Sequence, residues 1–124
     1  MSSFQPVWIE IPVKDIERAL KFYTQLFGGE VEIEDDGVRR TATLVNTDKF
    51  GVGVSLNQTA NFEPSDKGPL VYVWAEDDDM EAAIAKVEPA GGKTLTPKTS
   101  MGAAGFYGLF QDTEGNVLSW YSTK

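Results

Sequence analysis

The sequence predicts an α+β fold in which two tandem βαβββ modules form a cupped mixed sheet around a cleft, and three observations predict it. The first is a repeat: VWIEIPVKDIERALKFYTQLFGGEV, residues 7–31, returns as LVYVWAEDDDMEAAIAKVEPAGGKT, residues 70–94, with Gly28-Gly29 and Gly91-Gly92 in register at an offset of 63. The second is a matched apolar stripe. Ile16, Ala19, Leu20 and Tyr23 in one copy, and Met80, Ala83, Ile84 and Val87 in the other, follow the i, i+3, i+4, i+7 spacing of a helix packed on one side. The third is that three short β-type runs follow each glycine pair.

Each element follows from local chemistry. Asp15 and Asp79 stand just before the two stripes, where a carboxylate accepts from the free amides of a first helical turn and favours the helix dipole. The run Glu76, Asp77, Asp78, Asp79 is therefore read as a cap and solvated turn rather than a cation site. The glycine pairs supply the positive-φ residues that end the helices, and Pro89 stops the second one near Glu88. Strands are expected at 30–35, 39–45 and 50–57, with DDG and NTDKFG as turns, then at 93–96, 105–111 and 117–121, with DTEGN closing a hairpin. The polar segment 58–69, QTANFEPSDKGP, connects the halves. The expected organisation is a single domain over 1–124, with one module at about 5–57 and the other at about 69–122.

A βαβββ unit covers one sheet face with its helix and leaves the other bare, so two units are expected to turn their bare faces towards a shared cleft. Strand alternation places Ile9, Ile11 and Val13 towards the helix and Trp8, Glu10 and Pro12 towards the cleft. The second copy sorts likewise, with Val71, Val73 and Ala75 on the helix side and Leu70, Tyr72 and Trp74 opposite. Glu10 beside Trp8 is a candidate proton acceptor or hydrogen-bonding anchor, with pairing to Arg39 or Arg40 as the alternative. Phe106, Tyr107, Trp120 and Tyr121 add aromatic surface that either stacks on a flat or cationic ligand or packs in the core.

Composition narrows the functions. Nineteen acidic against eleven basic side chains give a net charge of −8, which opposes phosphate backbones and anionic lipid and favours cationic ligands. Nucleic acid and membrane are therefore not expected partners. No apolar run approaches the ~20 residues of a membrane span, and MSSFQP has no signal-peptide character, so a cytoplasmic location is expected. The chain has no cysteine and no histidine, which removes thiolate nucleophiles, the commonest nitrogen ligand and the usual neutral-pH base. MGAAGFYG does not fit the GxxxxGK[ST] form of a phosphate loop. Asp35 and Asp36 are an oxygen-only pair, read as solvated turn residues.

On IEIPVKDIERALKFYTQLFGG, VEPAGGKTL and GFYGLFQDTEGNVLSWYS, the chain resembles the vicinal oxygen chelate superfamily of glyoxalase I, extradiol dioxygenases and bleomycin-resistance proteins. The hairpin DTEGN is similar to the superfamily's D-P-[DE]-G-N. The resemblance implies paired βαβββ modules, often a homodimer, and a divalent metal held by His, Glu or Gln side chains. The implied ligand positions fall on Trp8, Ser55 or Gly53, Leu70 and Ser119. An indole, alkyl and neutral hydroxyl groups are poor donors for a transition metal, so no metal and no cofactor are expected. The leading expectation is a metal-free protein that binds a small organic ligand through Trp8, Glu10, Arg39, Ser55, Leu70, Tyr72, Trp74, Ser119 and Tyr121. The alternative is a lyase- or isomerase-like enzyme related to lactoylglutathione lyase, with Glu10 catalytic alongside Tyr72 or Tyr107, or with an unforeseen metal site.

Overall fold

The computed structural model describes residues 3–46 and 51–124, and the fold is α+β with two open sheets and two helices. The first sheet runs in the order β1 (Trp8–Pro12), β4 (Gly53–Gln58), β3 (Arg40–Val45) and β2 (Ile33–Asp35), with helix α1 (Ile16–Phe27) following β1. The second is ordered β5 (Tyr72–Trp74), β9 (Val117–Ser122), β8 (Phe106–Gln111) and β6 (Lys93–Thr94). Helix α2 (Met80–Val87) follows β5, and a two-residue strand β7 (Thr99–Ser100) pairs with β8. In each half the first strand pairs parallel with the last, β1 with β4 and β5 with β9, and the other pairings are antiparallel.

The caps sit where the carboxylates precede the stripes: Asp15 accepts from the Arg18 amide and Asp79 from the Ala82 amide, both at 3.1 Å. Gly28 closes α1 at φ 78°, and Gly91 follows α2 at φ 102°. The strand expected at 30–35 is shorter, beginning at Ile33, and that at 93–96 stops at Thr94. The strand expected from Phe50 begins at Gly53, and residues 47–50 of the expected turn lie outside those described. β7 was not among the expected strands. Its two residues are too short to show an alternation. No helix among the described residues is long and apolar enough to cross a membrane.

The buried side chains form one cluster drawn from both sheets and both helices. Helix α1 packs on β3 and β4 and meets α2, while its Phe22 ring lies 6.5 Å from Phe110 of β8 and its Phe27 ring 5.6 Å from Trp120 of β9. Phe110 and Trp120 stack at 4.7 Å. Gly92 makes room for this packing, since a Cβ there would run into the Phe22 ring and the Gln111 carbonyl.

The DTEGN hairpin between β8 and β9 does more than reverse the chain. Glu114, its side chain fully buried, accepts from the backbone amides of Lys14 and Asp15 at 2.9 Å and from Arg18 Nε and Nη2 at 2.7 and 2.9 Å. Asp112 accepts from the Tyr23 hydroxyl at 2.7 Å and from the amides of Glu114 and Asn116. Asn116 Nδ2 in turn donates to the Pro12 carbonyl at 2.8 Å. The second half thus holds the turn that leads from β1 into α1. Burial pushes the Glu114 carboxyl up, but the Arg18 hydrogen bond and the Asp15, Thr113 and Lys14 donors outweigh it and hold the group at about 2. Burial, reinforced by Asp112, pushes the Tyr23 hydroxyl well above the usual tyrosine range.

Candidate functional site

Along β1 the burial alternates: Ile11 and Val13 are buried under α1, whereas Trp8 and Glu10 are exposed on the other face. β4 lies beside β1 with Trp8 opposite Gly53 and Glu10 opposite Ser55. Gly53 is what lets the indole lie down on the sheet, because any Cβ at 53 would overlap the six-membered part of the Trp8 ring. Flat on β4, Trp8 donates from Nε1 to Ser55 Oγ at 3.1 Å and remains 43% exposed.

A chain of polar contacts runs from there across the face. Ser55 and Asn57 are both about 1% exposed although they sit on the helix-free side. The Asn57 amide satisfies both its ends when its nitrogen donates to Ser55 Oγ at 2.7 Å and its oxygen accepts from Thr41 Oγ1 at 3.1 Å and Arg39 Nη2 at 2.6 Å. Arg39 Nη2 also donates to Glu10 Oε2 at 2.9 Å. Trp8 and Arg39 therefore roof a buried polar strip, and Glu10 closes its rim. Of the two partners open to Glu10, the structure selects Arg39. Arg40 lies one residue on, pointing to the helix side, where it pairs with Glu17 at 2.9 Å. Arg39 Nε is buried with no hydrogen-bond partner among the described residues.

The other site candidates gather on the second sheet. Tyr72 lies opposite Ser119 in the β5–β9 register, Trp74 opposite Tyr121, and the Trp74 and Tyr121 rings are 6.2 Å apart. Tyr72 and Trp74 are each half exposed. Tyr121 donates from its hydroxyl to the Ala104 carbonyl at 2.7 Å. Ser119 is fully buried and donates to the Trp120 carbonyl at 2.9 Å. Leu70 precedes β5 and is exposed. Among the described residues no hydrogen bond or ring contact joins this group to the Trp8 group, so one chain presents two aromatic patches, one per sheet.

The resemblance already put Ser55 among the candidates, and strand alternation applied to VSLNQ and RTATLV places Asn57 and Thr41 on the same face. Those two were missed, as were the residues of the DTEGN clamp. The positions that the resemblance implies for metal ligands, Trp8, Ser55 or Gly53, Leu70 and Ser119, carry side chains that do not fit a metal. The Trp8 nitrogen donates its hydrogen to Ser55, Ser55 accepts from two neighbours, Ser119 is spent on backbone, and leucine has no lone pair. Among the described residues no three Asp or Glu side chains converge in a way that could hold an ion.

The fold agrees with what the chain is similar to. Putative glyoxylase CFP32 of Mycobacterium tuberculosis is 30% identical over 124 residues, covering 96% of this chain and 46% of that protein, so the chain spans about half its length. A glyoxylase-like domain-containing protein of Didymella fabae is 32% identical over 112 residues, covering 88% of this chain and 86% of its own. Among solved structures, glyoxalase I from Zea mays superposes with a TM-score of 0.74 at 20% identity, covering 95% of this chain and 44% of that one, a likeness of fold. Residues 5–119 match the description Glyoxalase/Bleomycin resistance protein/Dioxygenase superfamily, and the chain belongs to that superfamily.

Proposed function

We propose that the protein binds a small organic molecule without a metal, using the helix-free face of the first sheet. The observation that carries this reading is Trp8 itself. At the position where the superfamily's enzymes project a metal ligand, a half-exposed indole lies flat with its only polar atom already hydrogen-bonded, which makes a stacking platform. The Glu10–Arg39 pair at its edge supplies an acceptor and a partly exposed guanidinium, so a planar ligand carrying a polar substituent suits the site. Tyr72, Trp74 and Tyr121 form a second aromatic wall, with Leu70 at its margin and Ser119 buried beneath it. A homodimer that sets this wall over the Trp8 patch of its partner would enclose the ligand and cover the exposed apolar groups. The net charge of −8 favours a cationic ligand.

A thermal-shift screen of small planar compounds tests the reading, because a ligand at 100 times its Kd raises stability by about 2.7 kcal/mol. Hits are expected to act equally with and without chelator and to lose their effect in Trp8→Ala. Hits that require a divalent metal, or that stabilise Trp8→Ala as well as the native chain, would overturn it. Turnover of the methylglyoxal–glutathione adduct, lost in Glu10→Gln, would favour the enzyme reading instead.

A further inference from the structure

On the opposite side from Trp8, where the two sheets meet, lies a partly open pocket of about 210 Å³ walled by Ile11 and Val54 of the first sheet, Val73 and Leu118 of the second, Val71 just before β5, and Phe27 from the last turn of α1. Its few polar neighbours are already committed. The Tyr23 hydroxyl donates to Asp112, the Thr24 hydroxyl bonds back to the Leu20 carbonyl at 2.8 Å, and the Gly28 amide donates to the Thr24 carbonyl at 2.7 Å. A water placed against these walls would find no free partner among them. A charged or strongly polar guest would lose its hydration with nothing in return. The volume is of the order of the ~150 Å³ apolar cavity that admits benzene or xenon.

We propose that this cavity is a binding site for a small uncharged aromatic or branched apolar molecule of about one ring, separate from the Trp8 platform. The wall is built from both sheets and α1, so a guest there bridges the two halves of the fold, and its binding stabilises their junction.

The test uses toluene as probe and benzoate as its charged counterpart, followed by the methyl resonances of Val71, Val73 and Leu118 in the full chain. Saturable shifts of these methyls with toluene, and none with benzoate at the same concentration, are expected. Val73→Phe puts a ring into the space and is expected to weaken toluene binding by about tenfold or more. Trp8→Ala, which removes the platform on the other face, is expected to leave toluene binding intact. Methyls that do not respond to toluene, equal responses to benzoate, or loss of toluene binding in Trp8→Ala would overturn the proposal. If Val73→Phe fails to fold, xenon pressurisation of native crystals decides: a xenon peak among these side chains supports the site, and none there refutes it.

Discussion

Replacing Glu114 by glutamine tests how the second half of the chain holds the first. The native carboxylate receives two backbone amides, two Arg18 N–H groups and the Thr113 hydroxyl. In Glu114→Gln one oxygen becomes an NH2 group, which faces donors that it cannot accept from. The carboxyl held at about 2, against 4.5 ordinarily, corresponds to a little over 3 kcal/mol at about 1.36 kcal/mol per unit. Arg18 is half in solvent, where pairing is screened, so a loss of about 2–3 kcal/mol at pH 7 is the reasoned figure. Because the folded-state value lies below the unfolded one, this stability is fully present above about pH 4.5 and fades as pH falls towards 2. Urea unfolding of native and variant chains between pH 2.5 and 7 measures the difference, and subtracting the curves removes the carboxylates common to both. A gap that is large at pH 7 and narrows on acidification is expected. A gap under about 0.5 kcal/mol at pH 7, or one independent of pH, would refute the argument.

Two further substitutions probe the site and its frame. Gly53→Ala drives a methyl into the indole, so Trp8 must lift off β4 and release Ser55; a loss of about 1–3 kcal/mol and a red-shifted tryptophan emission are expected from unfolding and fluorescence measurements. Asp15→Ala removes the cap on the Arg18 amide and is expected to cost about 1 kcal/mol in urea unfolding, with the slope of the transition unchanged.

What could be read from the sequence was what depends on neighbours in the chain. The caps at Asp15 and Asp79, the helix stops, and the alternation that sends Ile11 inward and Trp8 outward all involve residues within a few positions of each other. What escaped depends on contacts across the fold. Glu114 reads as one residue of a turn, yet its partners lie about a hundred residues earlier. The partner of Glu10 was left between Arg39 and Arg40 because alternation gives each arginine a face only once the start of β3 is known. Asn57 and Thr41 lay within reach of the same rule but drew no notice, since neither resembles a ligand-binding residue until Arg39 and Trp8 are seen lying over them. The cavity beneath α1 was invisible for a different reason. Val73 reads as helix-facing from its strand position, but a pattern of apolar residues does not reveal whether the side chains between two sheets fill the space.

On the proposed reading, the helix-free face, with an indole at a position where the family resemblance implies a metal ligand, takes an organic molecule directly. Anomalous diffraction from crystals grown with a stabilising compound and an excess of zinc measures this most directly. Density for the compound against the Trp8 ring is expected, with no anomalous peak at coordination distance from Trp8, Ser55 or Glu10. A zinc peak bonded to protein atoms there would contradict that reading.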